Sequence, residues 1–120
     1  MANRFLTKQR AVLKLYLINL VEQDRLYGLQ FLQLLRKEFE PYGFRPTHSE
    51  IYKSLHELTK EGILFRTKKL KGEGQDGFQE IVIYQFTEGG YEKAKAYKKL
   101  VKQDLDRSQQ MINKILRDNY

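Results

Sequence analysis

Apolar residues recur at intervals of three and four from about Gln9 to Val21 (Val12, Leu13, Tyr16, Leu17, Leu20, Val21), which predicts a helix. Its apolar arc is wide, so this helix is expected at the centre of the fold. Glu22–Tyr27 is short and polar, a connection or a brief edge strand. A second helix is predicted over about 28–40, with Leu32, Leu35 and Phe39 on one stripe, before Pro41, Gly43 and Pro46 break the pattern. Thr47-His48-Ser49-Glu50 has the T-x-x-E spacing of a capping box: the Thr hydroxyl accepts from the Glu50 amide while Glu50 reaches back to the Thr47 amide. Ile51, Leu55 and Leu58 then form the buried stripe of a helix over about 48–60, and Gly62 suits its left-handed C-cap. Ile63–Leu70 is a strand-like run and Phe78–Phe86 is β-rich, with Ile81, Val82, Ile83, Tyr84 and Phe86; the two flank the Gly-rich run Lys71–Gly77, which predicts a hairpin with a long tip. After a loop at Thr87–Gly90, residues from about Tyr91 to Asp118 contain neither Gly nor Pro. There Ala94, Tyr97, Val101, Leu105, Ser108, Ile112 and Ile115 are spaced 3, 4, 4, 3, 4, 3, near the coiled-coil period.

Helix, helix, capped helix, hairpin, long helix is the order of a winged helix, an α+β fold in which three helices carry a β-hairpin wing. In that fold the third helix enters the major groove of DNA and the wing lies against the adjacent backbone. A final helix of this length, ~42 Å at 1.5 Å per residue, overshoots a small domain. Its seam calls for a second copy, so an antiparallel coiled-coil homodimer is expected. The expected organisation is 1–90 as the winged-helix part, with a short basic N-terminal arm, and 91–120 as the dimerisation helix.

Charge sharpens this picture. The chain has 120 residues, with 22 Lys+Arg against 15 Asp+Glu and a net charge of +7, which points to a polyanionic partner. Arg4, Lys8, Arg10 and Lys14 stand among the first 20 residues with no acid between them. If Ile51, Leu55 and Leu58 point inward, then His48, Ser49, Tyr52, Lys53, His56 and Lys60 point outward and can donate to phosphates or base edges. An ordinary solvated face would carry similar residues; the wing directly after this helix favours recognition. On the hairpin, Arg66 and Lys68 fall on one face and Lys69 and Lys71 on the other, suited to a phosphate channel, although lysines also guard exposed strand edges.

Catalytic chemistry finds little purchase. There is no Cys. His48 and His56 are two helical turns apart with no acid in ligand geometry, so no metal site is expected. Asp104 and Asp106 lie on opposite sides of a helix and form no dyad. Gly72-x-Gly74-x-x-Gly77 matches a dinucleotide fingerprint but joins two strands rather than opening a helix. No enzyme activity, cofactor or metal is expected. No stretch approaches the ~20 apolar residues of a membrane span, so no membrane partner is expected and the cytoplasm, at the nucleoid, is the natural location.

Specific residues carry a closer likeness. Lys8-Gln9-Arg10-Ala11, Leu13-Lys14-Leu15-Tyr16, Arg25-Leu26-Tyr27-Gly28-Leu29, His48, Ser54-Leu55-His56-Glu57-Leu58, Gly62-Ile63-Leu64, Tyr84-Gln85-Phe86 and Leu105-Asp106-Arg107 closely resemble the Bacillus-type replication terminator proteins. The resemblance runs through almost the whole chain in one register. It implies a homodimeric winged helix that binds terminator sites on double-stranded DNA, two dimers side by side, and blocks the replicative helicase in a polar manner. It also implies DNA contacts from Lys8, Arg10 and Lys14, from Ser49, Tyr52, Lys53 and His56, and from the wing. A dimer–dimer contact around Tyr84 and a helicase-facing surface at Asp24–Tyr27 follow from the same likeness. The chain departs from the pattern in a shorter arm, a longer Gly-rich tip, Lys53 in place of Arg, Phe65 in place of Lys and Ser108 in place of a lone Cys. Losing the Arg removes bidentate guanine reading at that position. Two alternatives stay open on the residues alone: a dimeric winged-helix transcriptional repressor similar to the PadR-like group, including one serving a mobile element, and a basic module that docks an acidic protein.

Overall fold

In the computed structural model, which describes residues 4–72 and 79–120, the elements run α1 (Gln9–Glu22), α2 (Gly28–Phe39), α3 (His48–Lys60), β1 (Leu64–Lys71), β2 (Gln79–Phe86) and α4 (Gly90–Asn119). Residues 73–78, which include most of the expected glycine-rich tip at 71–77, the first three residues of the arm and the side chains of Lys71 and Gln79 lie outside the described residues. The chain is a winged helix with a long C-terminal helix. α1 is central, with Leu13, Leu17, Ile18 and Val21 buried. Phe31 and Leu35 of α2, Ile51, Leu55 and Leu58 of α3, and Ile63, Leu64 and Tyr84 of the hairpin close the core around it.

Two helices end in the same motif. At the end of α3 the Ile63 amide donates to Leu58 O and the Gly62 amide to Thr59 O, with Gly62 at φ 77°. At the end of α1 the Arg25 amide donates to Leu20 O and the Asp24 amide to Val21 O, with Asp24 at φ 60°. Both are Schellman ends; glycine takes the left-handed position without strain, aspartate with some. Between α2 and α3 a 3₁₀ turn at Glu40–Tyr42 replaces the expected plain loop. Arg36 Nε of α2 donates to Pro46 O at 2.9 Å and fastens the segment between this turn and α3.

β1 and β2 pair antiparallel from Leu64↔Phe86 to Lys71↔Gln79. Tyr27 adds a bridge to Ile83, and the Tyr84 amide donates to Leu26 O at 2.9 Å, so the segment before α2 is the brief edge strand. α4 begins one residue earlier than expected. Gly90 is its first residue, and a Cβ there would overlap the Ile63 carbonyl oxygen. Only glycine lets α4 start this close to β1. At 30 residues α4 is ~45 Å long, which accounts for the 65 Å long axis of a body otherwise 32 by 21 Å.

Candidate nucleic-acid interface

α3 is oriented by its buried stripe, and the six positions expected to face outward, His48, Ser49, Tyr52, Lys53, His56 and Lys60, are all exposed. Ser49, Lys53, His56 and Lys60 follow one another at i, i+4, i+7, i+11 and form a single row. The Thr47 hydroxyl accepts from the Glu50 amide at 3.2 Å, as expected of a cap. The reciprocal half is replaced: the Glu50 carboxylate faces the Arg10 guanidinium at 3.4 and 3.5 Å, because a charged fork is the stronger donor. His48 meets Tyr52 edge to face, with centroids 4.4 Å apart. Lys8, Lys53, Lys60 and Lys69 take part in no ion pair among the described residues and hold their ammonium groups toward solvent.

The wing adds Arg66, Lys68 and Lys69, all exposed. Lys68 meets Glu80 at 3.3 Å, and both side chains are more than half exposed, so the pair contributes little and can be exchanged for a phosphate. Burial raises the Tyr84 phenol above its ordinary pKa, with Arg66 pulling it back and Tyr52 pushing it up. A cavity of about 230 Å³ between α2, α3 and β2 is lined by His48, Tyr52, Val82 and Tyr84. The first turns of α3 and the root of the wing therefore adjoin.

Tyr84 itself is internal, 4% exposed and packed on Phe31 at 5.9 Å between ring centroids. Its side chain lies on the face of β2 that covers α2 and takes part in the core. Lys14 is turned inward as well. It lies on the buried side of α1, with its ammonium 2.6 Å from Glu61 and 3.5 Å from Glu57 of α3 and 4.7 Å from the centre of the Tyr97 ring. Arg10 is engaged beside it, 2.9 Å from Glu57. Burial works to raise the Glu57 carboxyl, yet Arg10 and Lys14 outweigh it and hold the group below its usual range. Burial, with Glu61 and Glu57 nearby, pushes the Tyr97 phenol up to about 12.

The arm is clasped to α4. Arg4 meets Asp104 at 2.9 Å, Ser108 Oγ accepts from the Thr7 amide at 2.9 Å, and Arg107 donates to Phe5 O at 3.1 Å. Hydrogen bonds from Arg4 and Thr7 hold the Asp104 carboxyl at about 2. The seam expected to face a second copy is accordingly split. Ala94, Val101 and Ser108 are buried within the chain, with Ser108 bonded to Thr7 of the arm, and Tyr97 is partly buried against the core. Leu105, Ile112 and Ile115 remain exposed, joined by Leu116. Asp24 and Tyr27 are both at the surface, at the junction of α1 and α2.

The sequence reading missed the acids. Glu50, Glu57 and Glu61 share one flank of α3 at i, i+7, i+11, a spacing visible in the sequence that predicts cations on a neighbouring helix. Asp104 and Ser108, polar residues set among apolar ones on α4, were the signal for the clasped arm. Among the described residues no group of three or more His, Asp or Glu is arranged to hold a metal, and no helix is long and apolar enough to cross a membrane.

This framework has relatives. A solved structure described as a transcriptional regulator of Thermoplasma acidophilum superposes with a TM-score of 0.62 at 19% identity, covering 90% of this chain and 93% of that one. At that identity the likeness is one of fold. The replication termination proteins of Bacillus subtilis (strain 168) and Bacillus vallismortis are each 54% identical over 116 residues, covering 97% of this chain and 92% of theirs. Residues 4–120, from the clasped arm to the end of the long helix, match the model of the replication terminator protein family, and the chain belongs to that family.

Proposed function

We propose that the protein is a homodimer that binds double-stranded DNA at terminator-like sites and arrests replication forks approaching from one side. The observation that carries this reading is the 54% identity, over 97% of the chain, to proteins named for replication termination. The row Ser49, Lys53, His56, Lys60, with His48 and Tyr52 beside it, supports base and phosphate contact in the major groove. Lys8 and the wing residues Arg66, Lys68, Lys69 and Lys71 hold flanking phosphates, which gives binding a steep salt dependence. Arg4 joins them by exchanging Asp104 for a phosphate. Leu105, Ile112, Ile115 and Leu116 pair with the same residues of a second copy, and two dimers sit side by side on a site. The surface around Asp24 and Tyr27 meets the replicative helicase, and the protein works in the cytoplasm, on the chromosome.

A fork-arrest assay tests this reading. The bound site, found by genome-wide mapping, is placed in both orientations on a replicating template. Stalling in one orientation only is expected. Clean passage in both at saturating protein, with bound sites clustered at promoters, overturns it in favour of a repressor.

A further inference from the structure

The outward row of α3 has an awkward neighbour. One residue further along, about 100° around the helix, runs the acidic flank of Glu50, Glu57 and Glu61. Carboxylates beside a DNA-facing row oppose a polyanion unless they are neutralised and turned away. α1 supplies both cations that do this, Arg10 to Glu50 and Glu57, and Lys14 to Glu57 and Glu61. Arg10 keeps a third of its side chain in solvent, whereas the Lys14 side chain is only 6% exposed. The Lys14 ammonium also rests against the Tyr97 ring of α4. A single buried cation on α1 therefore touches the recognition helix on one side and the long helix on the other.

We propose that Lys14 is a positioning residue for DNA recognition, which sets the rotation of α3 about its axis against α1 and α4 and makes no contact with phosphate. The inference rests on the DNA-binding reading above. The apolar stripe of α3 holds the helix down but resists rolling weakly, because aliphatic side chains slide over one another with little directional preference. Charge-assisted bonds to Glu57 and Glu61, a turn apart on one flank, are directional. A roll of ~20° moves a side-chain tip ~6 Å from the axis by about 2 Å, enough to break a hydrogen bond to a base edge. Phosphate contacts through long, exposed lysines tolerate such a shift. Losing Lys14 therefore lowers discrimination between sequences before it lowers attraction to DNA.

The test measures binding of the full chain to its mapped site and to an unrelated duplex across a salt series. For Lys14→Met the expected result is an unchanged salt slope, unrelated-duplex affinity within about threefold, and site affinity about tenfold weaker, the loss of one base contact. A slope shallower by about 0.9, with equal losses on both duplexes, identifies a phosphate contact and overturns the proposal. A lowered melting temperature with discrimination intact leaves Lys14 a purely structural residue and overturns it as well. Glu61→Gln, at a partner that is 43% exposed, keeps the question answerable if Lys14→Met does not fold. It too is expected to narrow discrimination; affinities that change equally on both duplexes, with discrimination intact, overturn the proposal. If the unchanged protein binds neither duplex at low salt, it is the DNA-binding reading that has failed.

Discussion

Replacing Ile112 by Asp tests the pairing of two long helices. Ile112 is 43% exposed, and Leu105, Ile115 and Leu116 on the same stretch of α4 are 37%, 38% and 52% exposed. Within the protomer these side chains have no further cover, so any burial they gain belongs to association. Burying an isoleucine fully is worth about 1.5–3 kcal/mol, and with a little under half still exposed the gain left to Ile112 is about 1 kcal/mol. A twofold dimer contains the residue twice. An aspartate at the seam must also shed water without a partner, which adds about 1–3 kcal/mol. Both contributions count in each of the two copies, so the expected loss is about 4–8 kcal/mol, a dimer dissociation constant raised roughly 1,000-fold or more. Sedimentation equilibrium over a range of protein concentrations measures it. Gln110→Asp introduces the same charge about 200° around the helix and is the control expected to leave association unchanged. A constant for Ile112→Asp within threefold of the original, or an equal effect from Gln110→Asp, refutes the reasoning. The exposed end of α4 would then not be the seam.

Gly90→Ala is expected to destabilise the fold by about 1–3 kcal/mol in urea denaturation, since its methyl would overlap the Ile63 carbonyl and α4 would have to shift off β1. Asp24→Asn removes a negative charge from the negative end of α1 while keeping a residue that tolerates a positive φ, so it is expected to raise stability by about 0.3–1 kcal/mol; a fall in urea midpoint would contradict this account of the α1 end. Hydrogen bonds from Arg4 and Thr7 lower the Asp104 carboxyl from 3.8 to about 2 in the folded chain. The arm clasp is therefore fully formed above about pH 4 and lost as pH falls from there through 2. NMR of the Thr7 amide follows the release, and Asp104→Asn should abolish that acid step; an arm that detaches near neutral pH would sink the argument.

Local rules carried much of this protein. The periods of three and four in α1 to α4, the β-rich runs of β1 and β2, the Thr47 cap and the Gly62 end are each determined within a few residues, and their bounds were legible to within one or two positions. The outward row of α3 was legible for the same reason: once Ile51, Leu55 and Leu58 face the core, helical geometry leaves Ser49, Lys53, His56 and Lys60 no other direction. The family was legible too, because its residues recur in one register through almost the whole chain.

What no local rule reaches is which of two compatible partners a side chain takes. Arg10 and Lys14 look alike as basic residues near a DNA-binding helix, yet only the packing of α1 against α3 decides that they face Glu50, Glu57 and Glu61. Similarly, Ala94, Tyr97, Val101 and Ser108 share one apolar period with Leu105, Ile112 and Ile115. Such a period does not say whether the packing it calls for lies within the chain or between two copies. Gly90 lies in close contact with Ile63, and Arg4, Thr7 and Phe5 are clasped by Asp104, Ser108 and Arg107, so the first two-thirds of α4 also pack on the chain itself. The sequence by itself thus determined the elements, their order, the outward row of α3 and the family. The tertiary structure alone decided which charges stay open to a partner, because electrostatic attraction acts through space while the pattern in a sequence records only neighbours along the chain.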